Sequence, residues 1–491
     1  MQNLNIYEIN TLTWLQRLAT KYKRDITLAN VPDEDWDAVA SYGCNTVWLM
    51  GVWQRSDAAI GVNRNDASFA PEMQEVLTDF NFDKDVIGSA YSIRDYTVSS
   101  VLGGNEALAI AREQLKKRSL KLLLDFVPNH VAPDHEWVTE HPEYFMLASD
   151  EEYVKRPHEC MQINGSNFAL GRDPYGAPWS DVLQLHAFST ELRARASHTL
   201  LSIARQCDGV RCDMAMLMTN DIFKNTWQSL ISDVPQTEYW SDLITAIRSR
   251  YPEFLFIAEA YWGTQETLLD QGFDYCYNKD FYDALRDNDV ESLKTLFAQP
   301  VAIQQRQVRF LENHDEPRIA SILDYKQHTA AAILLATSPS ARMYFDGQFD
   351  GIIIRTPVQL GRDPSLDPNE QIQQFYTKYS NLLKNIPCNQ TSWQPCSVTA
   401  VTHSADATHE AVFAWKWQIA DTYYLAVTNF SKQSTEVLVA CQWTDVDMLN
   451  AQLTVLFSNS SDNSALAKTS EGLECRLHAY DAMIVSIRPA I

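Results

Sequence analysis

The feature that most constrains the fold is a regular alternation between short runs of β-forming apolar residues and longer segments of helical period. Eight such runs occur: Asn5–Ile9, Asn45–Met50, Lys121–Val127, Gly209–Arg211, Leu255–Ala258, Phe273–Tyr277, Val308–Leu311 and Arg342–Phe345. Helices with apolar residues three and four positions apart are predicted between them, among them Glu106–Arg118, Ser189–Arg205, Glu238–Arg250 and Thr329–Thr337. Eight strand–helix repeats predict an α/β protein with a (β/α)8 TIM barrel, whose reactive groups come from the C-terminal ends of the strands.

Two stretches are longer than a strand–helix repeat requires. More than 80 residues separate the run Lys121–Val127 from Gly209–Arg211, whereas a βαβ unit needs roughly 30 residues or more. The segment Val131–His186 is rich in Pro, His, Asp, Gly and aromatic residues and has little periodicity. It predicts a short, loop-like insertion over the barrel mouth. A similar long stretch, Gly51–Ser92, follows the second run.

The pattern changes after Pro387 to short alternating runs separated by turn-forming residues. These runs are Ala411–Gln418, Tyr423–Asn429, Glu436–Ala440, Gln452–Phe457 and Ala482–Ile487. They predict a C-terminal all-β sandwich. We therefore assign residues 1–130 and 187–387 to the catalytic barrel, 131–186 to the insertion and 388–491 to the sandwich.

The charge balance excludes two classes of partner. The chain has 491 residues with 40 Lys and Arg against 63 Asp and Glu, a formal net charge of −23 at pH 7. An acidic excess of this size repels phosphate backbones and anionic lipid head groups. We therefore expect neither nucleic acid nor a membrane as a partner.

The cysteines indicate the compartment. The chain has nine, an odd number with no C-x-x-C pair: Cys44, Cys160, Cys207, Cys212, Cys276, Cys388, Cys396, Cys441 and Cys475. This pattern is typical of reduced thiols and not of a disulfide framework or a zinc site. Because Met1–Asn10 also lacks the pattern of a secretory signal, we expect a cytoplasmic protein.

Polar and charged side chains stand at the ends of four predicted strands. The sequences are Asp125-Phe-Val-Pro-Asn129-His130, Asp208-Gly-Val-Arg211-Cys-Asp213, Phe256-Ile-Ala-Glu259 and Phe310-Leu-Glu-Asn313-His314-Asp315-Glu-Pro-Arg318. In a barrel these ends converge, so Asp213, Glu259 and Asp315 are predicted to share one cleft. Paired carboxylates suit glycosidic bond chemistry, in which one attacks the anomeric carbon and another protonates the leaving oxygen. Arg211, on the same strand face as Asp213, would keep that carboxylate ionised.

These four segments, taken together, resemble the four sequence signatures of the α-amylase family, glycoside hydrolase family 13. The resemblance covers nearly the whole chain, because the order of the segments and the all-β C-terminal region also match. It implies the family's barrel (domain A), the insertion after the third strand (domain B) and the terminal sandwich (domain C). It further implies a retaining enzyme that acts on maltooligosaccharides or glycogen-like α-glucans through a covalent glycosyl-enzyme intermediate.

The resemblance also implies roles by position. Asp213 matches the nucleophile, Glu259 the general acid/base, and Asp315 the acid that grips the sugar and helps its distortion. Asp125 matches a structural aspartate and is left out of the catalytic set. The residues that match substrate-binding positions, or lie beside them, are Tyr91, His130, Arg211, His314 and Arg318.

The chain departs from the family pattern at the usual calcium site. Met216-Leu217 stands where many members have Lys-His. Asn129 matches a calcium ligand of those members, but the short insertion offers no convincing set of partners. We therefore expect no cofactor, with calcium as the open alternative at an incomplete family site. Nor do three neighbouring side chains fit a common metal-ligand pattern: His130, Asp134 and His135.

Three functional hypotheses stay open from the sequence. The first is a hydrolase, the second an α-glucosyltransferase with the same catalytic residues, and the third a non-catalytic barrel protein, although such relatives typically lack an acid that this chain has. A transferase using a sugar phosphate would need a basic cradle, for which the loop candidates are Arg55, Arg64, Lys155, Arg156 and Arg172. A sugar platform of aromatic rings has four candidates: Trp53, Trp137, Trp179 and Trp262. The sequence sets neither the linkage cleaved nor the oligomeric state.

Overall fold

Eight parallel strands close into a barrel in the structure, a computed structural model that describes residues 4–66, 68, 70–231, 233–385, 392–401, 407–443, 446–460 and 466–489. Each strand pairs with its neighbours in chain order, and the last pairs with the first. The strands are β1 (Asn5–Asn10), β2 (Thr46–Met50), β3 (Lys121–Phe126), β4 (Gly209–Cys212), β5 (Leu255–Ala258), β6 (Tyr275–Tyr277), β7 (Gln307–Phe310) and β8 (Ala341–Phe345). All eight predicted strands and the barrel fold are confirmed.

The barrel strands are buried along almost their whole length. Every residue of β2, β7 and β8 is buried, and Leu122, Leu123 and Leu124 of β3 are completely inaccessible. Parallel strands covered on both faces read as continuous apolar runs instead of alternating ones. This is why the barrel strands could be recognised in the sequence.

The four predicted helices are present. They span Gly104–Lys117, Thr190–Ala204, Tyr239–Arg248 and Tyr325–Thr337. The other helices of the described residues are Thr11–Tyr22, Asp33–Ser41, Asp57–Asn65, Ala70–Val76, Phe82–Asp85, Trp137–Glu140, Asp150–Lys155, Asn220–Trp227, Gln265–Asp270, Lys279–Arg286, Val290–Ala298, Val301–Gln304, Ile319–Ile322 and Glu370–Asn385. Within the described ranges, no helix is both long enough and apolar enough to cross a membrane.

The insertion after β3 is more regular than the sequence predicted. Its strands are His130–Val131, Leu147–Ala148, Cys160–Ile163, Ser166–Gly171 and Trp179–Gln184. They surround a small core that includes Trp137, Phe168 and Leu183. The expectation of a loop-like segment was wrong because strands of two to six residues are too short to show a period. The stretch after β2 likewise forms helices and an antiparallel pair, Trp53–Arg55 with Ile93–Val98.

The chain divides into two compact units. One contains Ile6–Tyr277 and Ile354–Leu366, and the other Met1–Asn5, Asn278–Ile353 and Asp367–Ile491. The predicted domain boundaries stay predictions, and the one at 387/388 lies outside the described residues. No disulfide joins any of the eight cysteines that the structure describes, and Cys388 is outside this set.

Two antiparallel sheets form the C-terminal region of the second unit. One consists of Gln394–Pro395, Val412–Ile419, Thr422–Asn429, Gln452–Ser458 and Ala482–Arg488, and the other of Ser397–Ala400, Thr435–Ala440, Leu466–Lys468 and Gly472–Leu477. Val427 and Val485 of the first sheet share a core with Val439 and Leu473 of the second. The predicted all-β sandwich is therefore confirmed as a fold.

A buried carboxylate ties β3 to the end of β2. The side chain of Asp125 accepts hydrogen bonds from Trp48 Nε1 at 3.1 Å and from the Gly51 N–H at 2.8 Å. Gly51 has φ +73°, and a Cβ there would come within 2.9 Å of the Ala90 side chain. The backbone can therefore approach Asp125 only because position 51 is glycine.

We predict that Asp125→Ala destabilises the fold. The change removes a buried acceptor that serves two N–H groups, and losing hydrogen bonds of this kind costs about 1–3 kcal/mol each. The free energy of unfolding, measured by urea denaturation, should fall by about 2–4 kcal/mol. The control Asp57→Ala removes a carboxylate that is 87% exposed and should change stability by less than about 0.5 kcal/mol. Equal effects of the two variants would contradict a bracing role for Asp125.

Candidate active site

A buried arginine joins two carboxylates at the ends of neighbouring strands. Arg211 Nη1 lies 2.7 Å from Asp213 Oδ1, and Arg211 Nη2 lies 2.8 Å from Glu259 Oε2. Arg211 is 1% exposed, Asp213 5% and Glu259 3%. Because Arg211 and Asp213 are two residues apart at the end of β4, their side chains lie on the same side of the strand. The structure thus brings together three of the predicted site residues.

Aromatic rings enclose the Arg211 guanidinium. Its central carbon lies 5.2 Å from the ring centroids of Trp48 and Tyr91, and 5.7 Å from that of Tyr277. Burial opposes the charge, but attraction to Glu259 and its other neighbours outweighs it and holds the pKa of Arg211 well above its ordinary value. The charge that organises the two carboxylates is therefore permanent.

Glu259 is surrounded by hydrogen-bond donors. Besides Arg211, the Met214 N–H donates to Oε2 at 2.6 Å and the Tyr261 hydroxyl donates to Oε1 at 2.7 Å. Met214 follows Asp213 directly and has φ +39°, a conformation that costs a non-glycine residue energy. These contacts fix both carboxylate oxygens in place.

Tyr261, Trp48 and Tyr277 were not identified from the sequence. Trp48 lies in the middle of β2, Tyr277 is the last residue of β6, and Tyr261 follows β5 by three residues. Asp213 was predicted because functional groups of barrel enzymes gather at the ends of strands, and the same reasoning could have included these aromatic residues. Only charged groups and histidines at the strand ends were considered in the sequence.

His130 lies in a hydrogen-bonded, apolar environment. Its Nδ1 is 3.3 Å from Asn129 Nδ2, and its ring packs edge-on against Trp179 at a centroid distance of 5.2 Å. Burial lowers the pKa of His130 to about 4, against a smaller opposing effect that includes a hydrogen bond to the Tyr91 main chain. The imidazole is therefore neutral at pH 7, and the Asn129 amide can donate to Nδ1.

The segment after β7, in the other compact unit, forms a second polar cluster. The carboxylate of Asp315 is 45% exposed, and its Oδ2 lies 3.1 Å from Nε2 of the buried His314. Asn313 Oδ1 accepts the N–H groups of Asp315 and Glu316 at 3.0 and 2.8 Å. This turn fixes the backbone that carries Asp315.

Arg318 is committed to other protein groups. It donates to Glu312 Oε1 at 2.7 Å and its guanidinium lies 4.0 Å from the Phe345 ring centroid. Both Arg318 and Glu312 are buried. These contacts stabilise the end of β7, and a direct sugar contact of Arg318 stays a prediction.

The basic loop residues considered for a phosphate cradle all have protein partners. Arg55 donates to the carbonyls of Gly88 and Val358, and Arg64 to those of Asp83 and Val86. The remaining three form ion pairs: Lys155 with Glu151, and Arg156 and Arg172 with Glu159. Each of these five basic side chains is therefore already paired with, or hydrogen-bonded to, another part of the protein.

The four candidate tryptophans differ in exposure. Trp53 and Trp137 are buried and Trp179 is half-buried, whereas Trp262 is 43% exposed. Trp262 has φ +58°, and its ring contacts the exposed Tyr175 edge-on at a centroid distance of 4.9 Å. An exposed aromatic pair on a strained backbone, three residues from Glu259, is the feature expected of a ligand platform.

The residues at the family's usual calcium position do not fit that ion. Asn129 Oδ1 accepts a hydrogen bond from Gln184 Nε2 at 2.8 Å. Met216 and Leu217 are buried apolar side chains with no oxygen ligand to offer. Across the residues that the structure describes, no group of three or more His, Cys, Asp and Glu side chains is arranged to hold a metal. That the protein needs no cofactor stays a prediction.

Comparison with known proteins identifies the family. The model of the α-amylase catalytic domain matches residues 37–381, which is most of the chain. The chain belongs to the α-amylase family of glycoside hydrolases.

Relatives agree with this family assignment over nearly the whole chain. The α-amylase MalA of Haloarcula japonica is 22% identical over 471 residues, covering 91% of this chain but 58% of its own length. Among solved structures of the α-amylase family, an α-amylase of Lactobacillus plantarum has a TM-score of 0.68 at 21% identity, covering 99% of this chain and 98% of its own. The maltogenic α-amylase AmyB of Thermotoga neapolitana has a TM-score of 0.67 at 18% identity, covering 99% of both chains. At these identities the structural likeness shows the fold alone.

We predict that His130 makes the fold sensitive to acid. The unfolded chain takes up a proton on His130 with an ordinary pKa near 6.5, but the folded protein does so only near pH 4. Stability is therefore lost as the pH falls from about 6.5 to 4, by up to about 3 kcal/mol. His130→Gln should weaken this pH dependence in urea denaturation, whereas His158→Gln, at an exposed position of the insertion, should not. The same pH dependence in both variants would refute the assignment.

Proposed function

We propose that the protein is a retaining enzyme that cleaves α-glucosidic bonds in maltooligosaccharides or glycogen-like α-glucans. The observation that carries this proposal is the buried Arg211, which holds Asp213 and Glu259 by two nitrogens of one guanidinium. The arrangement lies at the strand ends where barrel enzymes place their reactive groups. Membership of the α-amylase family supports the choice of substrate class.

The first step forms a covalent intermediate. Asp213 Oδ attacks the anomeric carbon as the bond to the leaving oxygen breaks, and Glu259 gives its proton to that oxygen. Arg211 carries a permanent positive charge beside both groups, and it stabilises Asp213 as the carboxylate that attack requires. Glu259 carries its proton on Oε1, because Arg211 and the Met214 N–H both donate to Oε2. The departing sugar leaves with a free hydroxyl group.

The second step releases the product. Glu259, now a carboxylate, takes a proton from water or from a sugar hydroxyl, whose oxygen attacks the anomeric carbon and displaces Asp213. Two displacements at the same carbon retain its configuration. The contacts from Tyr261 and Met214 hold the Glu259 carboxylate in the orientation that this step uses.

Further roles are proposed by position in the family. Asp315 is the third acid, which would bind sugar hydroxyls, with His314 fixing its side chain. His130 and His314 would each contact sugar hydroxyls, and Tyr91 would stack on a sugar ring. Cytoplasmic location is proposed from the sequence alone.

A product time course tests the proposed function. The wild type is incubated with maltose through maltoheptaose, sucrose and glycogen, and products are resolved by chain length. We expect shorter sugars, with turnover falling roughly 10³-fold or more in Asp213→Asn. Asp221→Asn, at an exposed position of the helix Asn220–Trp227, should keep wild-type turnover. If the wild type and Asp213→Asn are equally inactive on every substrate, the proposal is wrong and the non-catalytic alternative takes its place.

The pair Trp262 and Tyr175 favours transfer as a second activity. A departing sugar must lie on the side of Glu259, since Glu259 protonates its oxygen. The exposed indole of Trp262, three residues after Glu259, and the phenol ring that it contacts offer a surface on which such a sugar, or an incoming acceptor, can stack. Holding an acceptor sugar there would allow it to compete with water. No observation favours a sugar phosphate donor.

We predict that Trp262→Ala lowers the ratio of transfer to hydrolysis. Loss of the stacking surface weakens acceptor binding by about 1 kcal/mol, or roughly five-fold, but leaves attack by water possible. The ratio is measured from longer and shorter products formed from maltotriose. Trp262→Phe should keep most of the ratio, and Val101→Ala, at a position 65% exposed, should keep all of it. An unchanged ratio in Trp262→Ala would exclude the platform.

A further inference from the structure

The amide of Gln184 lies at the junction between the insertion and the end of β3. Gln184 is the last residue of the strand Trp179–Gln184, which pairs with His130–Val131 so that Gln184 lies opposite His130. Its side chain is completely buried. A buried amide that joins two segments in this way stabilises their relative position.

Three carbonyl oxygens converge on the Gln184 side-chain nitrogen. Nε2 lies 3.0 Å from the Asn129 main-chain oxygen, 2.8 Å from Asn129 Oδ1 and 3.0 Å from the Leu185 main-chain oxygen. Main-chain and amide carbonyl oxygens are among the groups that bind calcium in proteins, together with carboxylates and water. Here, the partial positive charge at their centre belongs to an N–H2 group.

The surroundings of the two ends of the Gln184 amide determine which end is the nitrogen. Gln184 Oε1 is buried and has no hydrogen-bond partner within the described residues. Exchanging the nitrogen and the oxygen would place Oε1 among three oxygens and leave the N–H2 group unsatisfied, so the opposite orientation is disfavoured. The protein leaves one buried acceptor without a partner in order to place a donor at the centre of the three oxygens.

The contact extends toward the proposed sugar site. Gln184 donates to Asn129 Oδ1, and the nitrogen of the same Asn129 amide lies 3.3 Å from His130 Nδ1. An amide nitrogen can only donate, so His130 Nδ1 accepts this hydrogen bond and Nε2 is left to carry the ring proton. Gln184 therefore acts on His130 through Asn129 and is a positioning residue.

We propose that the Gln184 carboxamide replaces a structural cation at this position. It cross-links the insertion to the end of β3 and orients His130, so that neither the fold nor the activity requires a divalent metal ion. The effect on His130 rests on the proposed function, whereas the effect on stability does not.

Thermal unfolding of the full-length protein tests the proposal. Excess EGTA and 1 mM CaCl₂ should each leave the Tm of the wild type unchanged. Gln184→Ala should lower the Tm by about 2–8 °C, because it leaves the three oxygens without their donor. Gln162→Ala is the matched control, since it removes an exposed glutamine of the same sheet that makes one hydrogen bond, to Asn167. A Tm that falls with EGTA in the wild type, or equal Tm values for the two alanine variants, would overturn the proposal.

A substitution that creates a cation-binding site provides a second test, again measured as a change in Tm. Gln184→Glu places a carboxylate among the three oxygens, where calcium but not the side chain alone can satisfy the site. Calcium should raise the Tm of Gln184→Glu and restore it toward the wild-type value, with no such effect on the wild type. The same calcium response in both proteins would show that the amide does not occupy a cation position.

Activity separates this inference from the proposed function. With maltotriose as substrate, Gln184→Ala should raise KM more than it lowers kcat, because it disturbs His130 and not the two carboxylates. An unchanged KM in a folded, active Gln184→Ala would overturn the positioning role. If the wild type is inactive on all sugars, the proposed function fails, and the Tm measurements still decide whether Gln184 replaces a metal.

Discussion

The site depends on one buried charge. A guanidinium that is 1% exposed, as in Arg211, can stay ionised only where negative groups and hydrogen bonds compensate for its desolvation. Asp213 and Glu259 provide that compensation, and the rings of Trp48, Tyr91 and Tyr277 add favourable contacts with the cation. In the state that can react, Glu259 carries a proton and the charges of Arg211 and Asp213 balance, so removing either of these two would leave an uncompensated charge in the interior. The Asp213 carboxylate that the reaction needs is therefore also required to keep Arg211 buried.

The barrel strands were predictable because strands that are buried on both faces consist of uninterrupted runs of β-forming residues. Asp213 and Glu259 were predictable for a related reason, since each follows such a run and the closed barrel brings β4 and β5 side by side. The strands of the insertion were not predictable, because they are too short to show a periodic pattern of apolar residues. Its order comes from side chains such as Trp137 and Phe168, which meet only after folding.

Several side-chain contacts in the site could not be predicted from the sequence either. Tyr261 and Gln184 are uncharged, and their partners could not be read from the sequence: Tyr261 donates to Glu259, two residues earlier, and Gln184 donates to Asn129 on a distant segment. Arg318 was predicted at the substrate, yet the structure engages it with Glu312 and Phe345. A residue type and a position in a motif do not determine which of several nearby partners a side chain will choose.

The insertion has a structural role beyond covering a site. Through the pairing of Gln184 with His130 it adds a strand beside the end of β3, and through Asn129 it reaches the imidazole that the family places at the sugar. The same region supplies Tyr175, which contacts Trp262, three residues after Glu259 in the chain. Proposed substrate contacts and contacts that stabilise the insertion are thus combined in a few residues.

The most direct test of the account is to trap the covalent intermediate. The protein is incubated with an activated fluorosugar of the α-glucosyl series, which forms the glycosyl-enzyme quickly and releases it slowly, and its peptides are analysed by mass spectrometry. The account predicts one added sugar on the peptide that contains Asp213, and none in Asp213→Asn. A sugar on a different carboxylate, or hydrolysis of a normal substrate with inversion of the anomeric configuration, would contradict it.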